Sequence, residues 1–291
     1  MFAELFSIVI PVYLCAGVGY AWIRLGRRYD SDLITDLIMN VGAPCLVFAN
    51  IVELEMERAV LLEMVGATLL AIVIMGVIAA GVLRMAGLSV STFIGPMTMP
   101  NTGNMGLPIV FFAFGAEGLA LGAVVFSIMA LLQFTVMLWF WTKQVSFTQL
   151  FRNPLSYALL LAVIFVYFEA RPPEWALRFT SLLGSFTVPL MQFTLGVSLA
   201  SLQVNEIRRT TALAIFRLGL GFAVGVAVAE LLGLEGVARG VLILDCAMPV
   251  AVINYLFSER YDRSSREVAS TVVISTLLSF LTLPLILSWV L

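Results

Sequence analysis

The sequence predicts an all-α integral membrane protein of ten transmembrane helices, built as two inverted five-helix repeats with broken, crossed fourth and ninth helices. Three observations predict this. The composition suits hydrocarbon rather than water, long apolar runs follow one another with short connections, and a proline-bearing pattern in the first half returns in the second.

The chain has 291 residues, of which 61% are hydrophobic and 12% charged. A soluble domain carries about 25% charged residues, so half that share requires a lipid solvent. Only helices and closed barrels satisfy their backbone groups in lipid. The apolar runs are continuous and lack the alternation of barrel strands, so helices are expected. The net charge of −2 argues against nucleic acid as a partner and leaves the lipid bilayer as the main environment. Histidine is absent, which removes the commonest general base and metal ligand. Cys15, Cys45 and Cys246 lie singly in apolar runs and read as small buried hydrophobes. No nucleophile with its base, metal cluster or cofactor loop is visible, so no enzyme and no cofactor are expected.

A span needs about 20 apolar residues. The first half offers Glu4–Ile23, Asp32–Ile51, Ala59–Val82, Val90–Phe114 and Leu119–Trp141. The second offers Leu155–Phe168, Leu177–Leu199, Thr211–Leu232, Gly236–Phe257 and Val268–Leu291. The first span is no signal peptide, because Arg24, Arg27 and Arg28 follow the apolar run and Glu4 precedes it. The sixth is short and stops at Pro172-Pro173, where no helix continues. The repeats divide at 1–145 and 146–291.

Orientation follows from the basic residues. With the N-terminus outside, only Arg58, Arg171, Arg178 and Arg239 fall on the outer side, and every other arginine, with Lys143, falls inside. The positive-inside rule therefore places both termini outside, with Glu53, Glu55, Glu57 and Glu63 near the outer face. Trp22, Trp139, Trp141 and Trp289 read as interfacial belt aromatics, and the arginines, Arg217 included, as residues that snorkel to an interface.

Pro44 of the second span is echoed by Pro189 of the seventh, and Met99-Pro100 of the fourth by Met248-Pro249 of the ninth. Each Met-Pro precedes an asparagine, a loop with an acidic residue (Glu117 or Glu267) and a further span. An odd number of spans per repeat inverts the second copy, the arrangement of many secondary transporters. The run from Gly95 to Pro108 holds Pro96, Pro100, Asn101, Gly103, Asn104 and Gly106, and such backbone unwinds only around a cavity or inside protein. Two crossed broken helices aim their N-termini at one midplane point, where bare amides receive an anion. Asn101, Asn104 and Asn254 add neutral donors. The expected substrate is a small organic anion.

At these residues the sequence resembles the auxin efflux carrier family, which includes the plant PIN-FORMED exporters and bacterial malonate or malate permeases. The resemblance rests on Asn101-Thr102-Gly103-Asn104-Met105-Gly106-Leu107-Pro108, with Gly42-Ala43-Pro44, Ala247-Met248-Pro249 and Ser275-Thr276-Leu277-Leu278-Ser279. It implies a ten-helix fold similar to the sodium/bile-acid symporters, with a scaffold domain and a transport domain that moves as an elevator. A multi-pass protein of the plasma (inner) membrane with both termini outside, or periplasmic, is expected, and a homodimer is left open. Substrate contacts are expected at Pro100, Asn101, Thr102, Gly103, Asn104, Pro249 and Asn254.

Asp245 lies inside the ninth span, and its position resembles that of an acidic sodium ligand in the symporter fold. A carboxylate at that depth is a candidate for the coupling ion, Na⁺ or H⁺. Asn101, Thr102, Ser127 and Gln133 are its candidate co-ligands. Asp32 and Asp36 mark the inner end of the second span; Asp36 is a weaker candidate and reads rather as an interfacial residue. An anion channel or uniporter is the alternative function, and a membrane sensor a more distant one.

Overall fold

The computed structural model describes residues 2–53, 57–137, 139–140 and 153–291. Glu55, Trp141, Lys143, Arg152 and the boundary between 145 and 146 lie outside the described residues. The secondary structure is helical throughout, with no named strand among the described residues. In chain order the helices are α1 Phe2–Arg24, α2 Ser31–Glu53, α3 Arg58–Met85, α4 Val90–Thr98, α5 Thr102–Met137 and α6 Pro154–Tyr167. They continue with α7 Glu174–Ser201, α8 Ile207–Leu232, α9 Gly236–Ala247, α10 Ile253–Arg260 and α11 Ser265–Val290. Among the described residues, six of these (α2, α3, α5, α7, α8 and α11) are long and apolar enough to cross a membrane. Shorter apolar helices accompany them.

Local sequence explains the ends and bends. Asp30 caps α2 by accepting from the Leu33 amide at 3.0 Å. Asn153 caps α6 through the Leu155 amide at 3.0 Å, with Pro154 in the first turn. Within α2 the helix widens to a π turn over Ile38–Gly42, directly before Pro44, whose missing N–H cannot close the ordinary ladder. The acidic loop expected at Glu117 is instead a sharp bend inside α5. Gly115 adopts φ 67° and ψ −147°, which a residue with a Cβ does not tolerate, and helix resumes at once.

The helices pack in two groups. In one, α1 lies along α7, while α2 packs on α6 and α7. The α1–α7 seam is so close that a Cβ on Gly196 would overlap the Ala16 carbonyl. In the other, α8 packs on α9 and α11, and α3, α4 and α5 complete the layer. The groups meet chiefly where α2 and α7 lie against α5. Arg217 departs from expectation: it does not snorkel but is fully buried on α8.

Candidate functional site at the helix crossing

Two breaks meet in the middle of the second group. Pro100 and Val250 form an isolated antiparallel bridge. The Asn101 amide donates to the Pro249 carbonyl at 2.8 Å, and the Ala251 amide to the Met99 carbonyl at 3.3 Å. Prolines at 100 and 249 end α4 and α9 because neither can donate to the helix ladder, and the freed groups pair across the crossing. Ser275 on α11 steadies it, accepting from the Val250 amide at 3.1 Å. The C-terminal ends of α4 and α9 and the N-terminal ends of α5 and α10 therefore converge.

Asn101 opens α5. Its Oδ1 accepts from the Asn104 amide at 3.2 Å, and its carbonyl from the amides of Met105 and Gly106 at 3.3 and 3.0 Å. Its Nδ2 is buried and has no partner. Asn254 has its amide occupied: Nδ2 donates to the carbonyls of Ala251 and Met99 at 3.1 and 3.4 Å, while Oδ1 faces Gln133 Nε2 at 3.5 Å. Asn254 thus ties the crossing together.

A cavity of about 470 Å³ lies on this point, between the two groups of helices. Such a volume accommodates a small organic molecule. Pro100, Asn101, Thr102, Gly103, Asn104 and Gln133 line it, facing Thr194, Ser198 and Ser201 of α7. Phe126, Met129, Val252 and Leu256 supply apolar wall. The cavity reaches Ser31, Asp32, Thr35 and Asp36 at the start of α2. Those four polar residues, one helical turn apart in pairs, form a polar stripe. That stripe is a signal that assigning Asp36 to the interface passed over. Pro249 and Asn254 are beside the cavity rather than in its wall, and Ser127 spends its hydroxyl on the Ala123 carbonyl at 2.6 Å.

Asp245 occupies a separate place behind the break. It is fully buried, and neither carboxylate oxygen has a hydrogen-bond partner. Its Oδ1 faces Gly106 so closely that a Cβ there would collide with it, and Oδ2 lies 3.8 Å from where a Cβ on Gly122 would stand. An orphaned carboxylate in apolar surroundings demands a proton or a cation. Groups of three His, Cys, Asp or Glu that could hold a metal ion are absent among the described residues. On the other side of α9, Arg217 donates to the Cys246 carbonyl at 3.0 Å. It caps the C-terminal end of that half-helix, where a cation is favourable.

A helical bundle with this hydropathy, divided around a largely apolar cavity with polar residues at two broken helices, has the build of a membrane transporter. The comparison with known families agrees, and the chain belongs to the membrane transport protein family, whose model matches residues 5–145 and 137–287. It is not an enzyme. An uncharacterized transporter of Methanocaldococcus jannaschii is 24% identical over 299 residues, covering 96% of each chain. An uncharacterized transporter of Methanothermobacter thermautotrophicus is 25% identical over 291 residues, covering 95% of each. A probable auxin efflux carrier component 1b of rice is 29% identical over 171 residues, 56% of this chain and 29% of the rice protein.

Proposed function

We propose that this protein is a secondary active transporter of small organic anions, carboxylates such as malate, malonate or an auxin-like indole acid. One observation carries the reading: Asn101, whose buried side-chain amide has no partner, lines a cavity at the convergence of two helix N-termini. Partial positive charge and bare donors at such ends favour an anion without holding it irreversibly. The similarity to a rice protein named as an auxin efflux carrier points the same way.

Alternating access supplies the mechanism. The group of α1, α2, α6 and α7 acts as scaffold, and the group carrying the crossing moves against it in an elevator stroke. The protein is read as ten spans in two inverted repeats, with both termini outside. The cavity then opens toward the start of α2 and the end of α7, the face that the basic residues assign to the inside. Asp245 takes up Na⁺ or H⁺ behind the break, and its occupancy governs whether Gly106 and the start of α5 stay packed.

The test is counterflow in proteoliposomes of labelled malate, malonate and indole acetate, with and without Na⁺. Saturable exchange of a carboxylate supports a carrier. Non-saturating flux of anions without exchange would establish the channel alternative instead.

A further inference from the structure

The charge around the cavity is one-sided. Among the described residues its only charged lining residues are Asp32 and Asp36, with no lysine or arginine in the wall. Asp32 also borders a neighbouring recess with Arg28, so a cation stands beside it. Asp36 is exposed and lines the cavity without bordering that recess. At the other end Asn101 is 4% exposed and its Nδ2 is without a partner. That buried, unused donor is independent of the acidic pair and itself calls for an acceptor on a ligand.

These two ends do not suit a dianion. A second carboxylate, held by the first at Asn101, would enter a space bounded by Asp36 with no cation to compensate it. A simple monocarboxylate uses the crossing and leaves Asp36 idle. A molecule bearing both a carboxylate and an ammonium group offers a counterpart to each end. We propose that the substrate class is an amino carboxylate, with its carboxylate at Asn101 and the N-terminal ends of α5 and α10 and its ammonium group toward Asp36. This rests on the carrier reading above and narrows it: malate and malonate become poor substrates.

The experiment uses the full chain in proteoliposomes and two matched sets of probes. The first is alanine, propionate and methylmalonate; the second is phenylalanine, 3-phenylpropionate and benzylmalonate. Within each set the apolar part is constant while the second group changes from ammonium to none to carboxylate. The expected result is saturable exchange in at least one set, with the amino acid favoured about tenfold over the monoacid and the diacid weakest. Asp36→Asn should abolish that preference, and Asp36→Glu should retain it. Asp36 makes no ion pair among the described residues, so its replacement leaves the fold intact, which a thermal unfolding curve verifies. Exchange of the monoacid or diacid at least as good as that of the amino acid, unchanged in Asp36→Asn, overturns the amino-carboxylate assignment and leaves the carrier standing. Absence of exchange with both sets and with malate, malonate and indole acetate overturns both.

Discussion

Asn101 performs two separable tasks, and substitutions can divide them. Its Oδ1 caps the first turn of α5 through the Asn104 amide at 3.2 Å, while its Nδ2 is buried without a partner and is the donor proposed to meet the ligand. Asn101→Ala removes both, because the remaining contacts of this residue are made by its backbone. Loss of the cap is worth about 1 kcal/mol, and loss of a hydrogen bond to a charged ligand about 1.5–3 kcal/mol. Asn101→Asp keeps the acceptor that caps the helix and replaces the free donor by a second acceptor. The expected outcome is that Asn101→Ala lowers thermal stability modestly in detergent, whereas Asn101→Asp leaves it near that of the parent. Both should weaken carboxylate exchange by roughly 10- to 100-fold, the aspartate variant at least as severely. Wild-type exchange in Asn101→Asp, measured by counterflow in the same vesicles, would refute the assignment of Nδ2 to substrate.

Other consequences follow from the surroundings of the crossing. Gly106→Ala forces a Cβ onto Asp245 Oδ1, and overpacking of this kind costs about 1–3 kcal/mol; exchange should fall together with the unfolding temperature. Asp245→Asn should leave exchange between identical solutions measurable but uncouple net uptake from an imposed Na⁺ or H⁺ gradient. Uptake in that variant still driven by whichever gradient drives the parent would remove Asp245 from coupling. Arg217→Ala strands the Cys246 carbonyl and opens a cavity, so stability should fall by about 2–5 kcal/mol, with Arg217→Lys intermediate in the same unfolding assay. Gly196→Ala pushes a Cβ into the Ala16 carbonyl and should separate α1 from α7, seen as a loss of folded protein on size exclusion.

Much of this site is legible in the sequence because proline acts locally. Pro100 and Pro249 each remove a donor, and each helix breaks where the chemistry requires it. The pairing of the breaks, Asn101 to Pro249 and Ala251 to Met99, joins residues far apart in the chain, and no local pattern encodes it. Asn254 looked like a free donor, yet the crossing uses its amide internally. Ser127 is similar, since a mid-helix hydroxyl readily bonds back to its own helix. For Arg217 hydropathy reports depth but not direction. Its side chain turns inward to a helix end that only the tertiary structure brings near. At Glu117 a glycine two residues upstream makes the bend within the helix, so an acidic residue marked no loop.

The central claim is that the cavity at the crossing is a transport site reached from each side of the membrane in turn. It is tested most directly by placing a cysteine at Ala130, a cavity-lining position, in a variant with Cys15, Cys45 and Cys246 replaced by serine or alanine. Membrane-impermeant maleimide is then applied to one face or the other of oriented vesicles. The expected result is labelling from both faces, slowed by the exchanged carboxylate at concentrations near its half-saturation. Labelling from a single face, unaffected by any substrate that is exchanged, would contradict alternating access at this site.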